Sequence, residues 1–139
     1  MNSRAITMLS CAVAFLFPVT LRGQGRSTWP SAAVDAQGVR HRESEYVGDA
    51  PWMNDAIKRV TPHYPFADGE KRNEGSGLLR LTLDPKTGSV SNVTVLKSTG
   101  HPELDRSAKD AFRRWLWKPG KWKEIEMPVT FVIVRPRQR

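Results

Sequence analysis

GLLRLTLDPKTGSVSNVTVLKSTGHPELDRSAKDAFRRWLWKPGKWKEIEMPVTFVI, residues 77–133, changes its apolar period twice, from two residues to about 3.6 and back to two. Such a change marks a hairpin, then a helix, then a strand. Leu79, Leu81 and Leu83 alternate with Arg80 and Thr82, so a first strand carries one apolar face. Asp84-Pro85-Lys86-Thr87-Gly88 then turns the chain, with Gly88 in the left-handed conformation that closes the turn. Val90, Val93 and Val95 carry a second strand. The step of three from Val90 to Val93 breaks strict alternation and predicts a bulge near Ser91-Asn92.

Pro102 suits a first helical position, because its fixed φ fits there and its missing N–H costs nothing. Glu103 and Asp105 put negative charge in the first turn, where the helix dipole favours it. Leu104, Ala108, Ala111, Phe112 and Trp115 form the inward face. Lys118-Pro119-Gly120 is the expected helix end. In the last strand Ile125, Met127, Val129, Phe131 and Ile133 share one face, and Glu126, Pro128, Thr130, Val132 and Val134 share the other.

On these residues the chain resembles the C-terminal domain of TonB, the family that couples inner-membrane energy to outer-membrane receptors. The resemblance rests on Tyr64-Pro65 with Ala67, Glu74-Gly75, Leu81 with Asp84, and Gly88-Ser89-Val90. It continues through Val93, Val95, Ser98-Thr99-Gly100, Leu104-Asp105, Ala108, Ala111, Trp115, Lys118-Pro119, and Pro128-Val129 with Phe131. These pieces span about residues 60–134. The resemblance implies a periplasmic energy transducer that grips an extended segment of an outer-membrane receptor, with an inner-membrane motor complex as a further partner. It implies no cofactor. Departures from the family pattern are an apolar run at residues 5–21 without a histidine or a charged residue, a lead that is not Pro-rich, and Asp68 where a basic residue is common.

The expected fold is α+β: a three-stranded antiparallel sheet carrying the long helix on one face, with one or two short helices and the other face open to water. Within a strand, alternate residues point their backbone groups to opposite edges. Pro128 has no N–H, so it should face a free edge, and Thr130, Val132 and Val134 share its parity. An extended peptide added along 130–134 would complete a fourth strand, and the resemblance points to the same edge. The competing view is an edge merely guarded by its prolines.

Outward from this core the chain is less informative. A single domain fits 139 residues, and a net charge of +8 permits an anionic partner without specifying one. Residues 1–25 read as a secretory signal ending in Gly23-Gln24-Gly25, which implies a periplasmic location, or as a short inner-membrane anchor facing the periplasm. Cys11 is the only cysteine, so a cleaved chain would hold no thiol. Residues 26–59 read as a flexible lead with a short helix at residues 51–58 whose Trp52, Met53 and Ala56 turn inward. Tyr64-Pro65 to Arg72 reads as a second short helix, and residues 135–139 as a basic tail. His41, His63 and His101 lack metal-ligand spacing, and Ser98, His101 and Asp105 read as turn and helix-start residues rather than a hydrolase set, so no enzyme is expected. Trp115, Trp117 and Trp122 among lysines suggest a nucleic-acid stacking platform less well than they suggest core. The second function class is a secreted domain that binds a peptide or assembles the envelope without transmitting force.

Overall fold

The structure, a computed structural model, describes residues 29–65 and 73–133. Its frame is an antiparallel sheet in the order β2-β1-β7-β4-β5. The strands are β1 (Ala32–Asp35), β2 (Arg40–Arg42), β4 (Gly75–Leu83), β5 (Val90–Lys97) and β7 (Trp122–Phe131). A small second sheet pairs β3 (Ala56–Lys58) with β6 (Leu116–Trp117). Helix α1 (Pro51–Asn54) precedes β3, and α2 (Pro102–Phe112) joins β5 to β6.

The predicted hairpin forms. Gly88 has φ +76°, its N–H donates to the Asp84 carbonyl at 2.8 Å, and the Asp84 side chain accepts from the Lys86 N–H at 2.8 Å. The ladder passes from Thr82↔Asn92 to Leu83↔Val90, so Ser91 is the bulged residue. A second shift, between Leu78↔Lys97 and Leu79↔Val95, bulges Leu96. The first shift lets Val90, Val93 and Val95 all stand opposite core residues of β4 although their spacing breaks period two, and the second turns Lys97 to the outer face opposite Leu78.

Four expectations are corrected. Among the described residues the main sheet has five strands, not three, because the lead is built into it. Ala32–Asp35 lies against β7 and Arg40–Arg42 against β1. This segment holds little apolar sequence, but Ala32 and Ala33 are buried by the neighbouring strand and lose almost no side-chain entropy on burial. Second, α2 stops at Phe112 instead of running to residue 118. Trp115 and Trp117 are both fully buried and stack with centroids 5.4 Å apart. Residues two apart point to different sides of a helix but to the same side of an extended chain, so burying both indoles requires β6.

Third, the 51–58 helix is one turn only. Its Trp52 and Met53 are buried as expected, but Ala56–Lys58 straightens to pair with β6, and the Lys118 N–H donates to the Asp55 carbonyl at 3.0 Å. Fourth, the outer face of the sheet is covered along its central strand. Ala32, Leu78, Glu126, Pro128 and Thr130 are all buried there. The short helix expected at Pro65–Arg72, and Asp68, lie almost wholly outside the described residues.

The core lies between the sheet and α2. Leu79, Leu81, Ile125, Met127, Val129 and Phe131 supply the sheet side, and Leu104, Ala108, Ala111 and Phe112 the helix side. Burying each large apolar side chain contributes about 1.5–3 kcal/mol. The indole N–H groups are satisfied inside: Trp52 donates to Ser31 Oγ at 2.9 Å, Trp115 to the Val60 carbonyl at 2.8 Å, Trp117 to the Trp52 carbonyl at 2.7 Å and Trp122 to Asp55 at 2.9 Å.

Candidate strand-docking edge

β7 is the strand on which the expected site was placed, and its two edges have different neighbours. On one side it pairs with β4 from Thr82↔Glu124 to Gly75↔Phe131. Pro128 stands opposite Leu78 in that ladder. Directly opposed antiparallel residues alternate between pairs that exchange hydrogen bonds and pairs that do not, and a proline has no N–H to exchange. Met127, Val129 and Phe131 therefore bond toward β4. The same parity continues past the strand, where the Ile133 N–H donates to the Glu74 carboxylate at 2.6 Å on the β4 side. Thr130 and Val132 aim their backbone groups the other way.

That other edge is divided. β1 pairs with its first half, from Asp35↔Trp122 to Ala32↔Glu126. Among the described residues the pairing on this side stops beyond Glu126. Ser31 and Ala33 face the core, so continued alternation would turn residue 29 to the core as well. The Trp29 indole instead stands near Lys97, its ring centroid 5.5 Å from Nζ, and Lys97 lies opposite Leu78 on the outer face. Among the described residues no strand pairs with Thr130 or Val132 on this side. Of the four expected docking residues, Pro128 and Thr130 lie in β7 and are buried, and Val132 follows the strand and is half-buried. Val134 is outside the described residues. The Thr130 hydroxyl is turned to that of Ser76, 3.1 Å away.

The seam between β1 and β7 is tightly held. Ser31 Oγ donates to the Glu126 carbonyl at 2.9 Å while accepting from Trp52. Glu43 accepts from the Ser31 N–H at 3.0 Å. The Arg40 guanidinium grips Glu126 with both terminal nitrogens, at 2.9 and 2.7 Å, and Arg80 approaches the same carboxylate at 3.5 Å. The Arg40 hydrogen bonds hold the Glu126 carboxyl below its ordinary range, against burial that would raise it. At the far end of β1, Asp35 accepts from the His41 ring at 2.8 Å, and the other His41 ring nitrogen meets the Tyr46 hydroxyl at 2.8 Å. That contact lowers the Asp35 pKa. None of Ser31, Arg40 and Glu126 was singled out from the sequence as part of this edge; the bonds that join them span 86 to 95 residues.

The other candidates resolve as structure. Asp105 accepts from the Thr99 N–H at 2.8 Å, from the Thr99 hydroxyl at 2.7 Å and from the Ser98 hydroxyl at 2.5 Å, fastening the turn to the start of α2. Burial raises its pKa, and these donors outweigh that and lower it. His101 lies 3.9 Å from Glu103 and is not placed between Ser98 and Asp105. The Trp115, Trp117 and Trp122 rings are buried, so they offer no stacking platform. Among the described residues no group of His, Cys, Asp and Glu is arranged to hold a metal, and no helix is long and apolar enough to cross a membrane.

Comparison with known proteins shows the family. The family model described as the Gram-negative bacterial TonB protein C-terminal matches residues 60–133. A Protein TonB of Neisseria meningitidis serogroup C is 31% identical over 116 residues, covering 80% of this chain and 40% of that protein. One of Neisseria meningitidis serogroup A is 27% identical over 117 residues, covering 81% and 41%. A stretch covering that share of the chain necessarily takes in β1, β2 and β3. The Protein TonB of Escherichia coli K12 is 35% identical over 66 residues, 48% of this chain and 27% of its own. The chain thus spans about two fifths or less of the relatives it matches. With the family model covering more than half of its residues, this chain belongs to the TonB C-terminal domain family.

Proposed function

We propose that this domain works in the periplasm as a TonB-like energy transducer, gripping an extended segment of an outer-membrane receptor by strand addition to β7 and cooperating with an inner-membrane motor complex. The observation that carries the reading is the backbone direction of Thr130 and Val132, which aim away from β4 toward a side where no described strand pairs with them. Strand addition needs main-chain donors and acceptors in a row and is indifferent to most side chains. The N–H and C=O of Thr130 and Val132 with the Pro128 carbonyl supply five such groups. At about 1 kcal/mol net for each bond they support an exchangeable grip rather than a permanent one.

The test is an amide-shift titration of the chain with overlapping synthetic peptides tiled along the periplasm-facing terminal segment of an outer-membrane receptor from the same cell. Shifts should centre on Thr130 and Val132. Thr130→Pro removes an N–H that β4 does not use, so the fold should persist while binding falls at least about tenfold, the equivalent of 1.4 kcal/mol. Shifts confined to the outer surface of α2 would refute the reading. Location has its own test, the N-terminal residue of the native protein. A start near Arg26 means an exported, cleaved chain, whereas Met1 in the membrane fraction means an anchored one.

A further inference from the structure

The β7 edge offers two consecutive positions for a partner strand, and the chain itself fills the first. We infer that β1 is a permanent occupant of that edge, so a docked segment lies end to end with β1, against residues 128–133 and no further. This rests on the strand-addition reading and adds to it a fixed start and a fixed length.

Two partners compete for the half from Trp122 to Glu126: β1 and any incoming strand. An incoming strand would offer the same backbone hydrogen bonds that β1 already makes. It could win only if its side chains replaced what β1 contributes besides. That contribution is large and specific. Ala33 is buried against the core opposite Ile125. The Ser31 hydroxyl links the Trp52 indole to the Glu126 carbonyl, so an incoming strand without that hydroxyl leaves the buried Trp52 N–H without a partner. Arg40 reaches Glu126 only because β2 is carried on β1 through Val34↔Arg40. The hairpin is tied a second time at its tip, where the Ala36 N–H donates to the Lys121 carbonyl at 2.9 Å.

Among the described residues none of these contacts exists on the other half. The pairing ends at Ala32↔Glu126, the Ser31 backbone is committed to Glu43, and the Trp29 ring has turned to the outer face. The stretch from Pro128 to Ile133 is about 20 Å long at the usual strand rise, room for a segment of about five or six residues. The occupant is therefore a short extended protein segment, whose end abuts the start of β1. A longer segment must bend away at that point.

The experiment locks β1 in place. Val34 and Glu124 are direct partners on the outer face and are not fully buried. Their parity makes them a hydrogen-bonded pair, whose usual Cα separation of about 5.5 Å suits a disulfide. The full chain carrying Val34→Cys and Glu124→Cys, with Cys11→Ser to prevent mispairing, is titrated with the same receptor peptides, oxidised and reduced. Oxidised and reduced forms should bind within about twofold of each other. In the free protein the Glu126 amide should be protected from hydrogen exchange and those of Thr130 and Val132 should not, and peptide should add protection only to the latter two. If the oxidised form binds at least tenfold more weakly and reduction restores binding, β1 is displaced by the partner and the inference is wrong, while strand addition stands. If neither form binds, nor the unsubstituted chain, both fall together.

Discussion

Gly88 is where the turn of the first hairpin meets the second sheet, and substituting it separates two effects that the sequence merges. Its φ of +76° alone costs an alanine about 1–2 kcal/mol. The loss of chain entropy in the unfolded state returns about 0.4–1 kcal/mol. A second cost comes from space, because a Cβ added to Gly88 would lie 1.8 Å from the Trp117 carbonyl oxygen. No such contact closes below 3.0 Å, so the strand must move by more than 1 Å. That movement breaks the Trp117 N–H bond to the Gly88 carbonyl, now 2.9 Å, and the bridge Ser89↔Leu116, at about 1 kcal/mol each. It also disturbs the Trp115–Trp117 stack, worth about 1 kcal/mol. Gly88→Ala should therefore destabilise by about 3–4 kcal/mol, and Gly88→Val by more. Gly38 supplies the control: its φ is +86° but a Cβ there would meet nothing within 4 Å, so Gly38→Ala should cost only about 1 kcal/mol. Urea unfolding of the three variants measures both terms. Equal losses for Gly88→Ala and Gly38→Ala would refute the close approach and leave backbone strain as the whole effect.

Phe112→Ala and Trp115→Ala should each cost about 3–5 kcal/mol, because both side chains are fully buried; chemical denaturation showing less than 1 kcal/mol would mean that the face of α2 is misread. Ser31→Ala strips a hydroxyl that serves Trp52 and Glu126 at once and should cost about 1–3 kcal/mol by the same assay, whereas an exposed serine would cost almost nothing. Glu126 has a folded pKa below its ordinary 4.5, so its contribution is present above that value and is lost as pH falls through the lower folded value. Stability followed from pH 6 downward should start to decline near 4.5, and Glu126→Gln should be less stable at pH 6 and show a shallower decline. A decline as steep in the variant as in the parent would assign the acid sensitivity to other carboxylates, such as Asp35.

The sequence by itself determined the hairpin, the long helix and the last strand, since each buries its own apolar stripe and so writes its period into neighbouring residues. Leu79–Leu81–Leu83, Leu104–Ala108–Ala111–Phe112 and Ile125–Met127–Val129–Phe131 are all readable this way, and all are buried. The missing N–H of Pro128 also lets the sequence alone propose which backbone groups of that strand face away from a neighbour. Only the tertiary structure decided the rest. Ala32–Asp35 becomes a strand because β7 presents an unpaired edge to it, and its own four residues carry too little apolar pattern to announce that. Leu116–Trp117 leaves the helix because two indoles must enter one core and because Gly88 offers a carbonyl to Trp117. The limit of the candidate docking edge was invisible for the same reason. It is set at Glu126 by Ser31 and Arg40, which reach it through hydrogen bonds across 95 and 86 residues of chain, and local sequence carries no trace of a partner that far away.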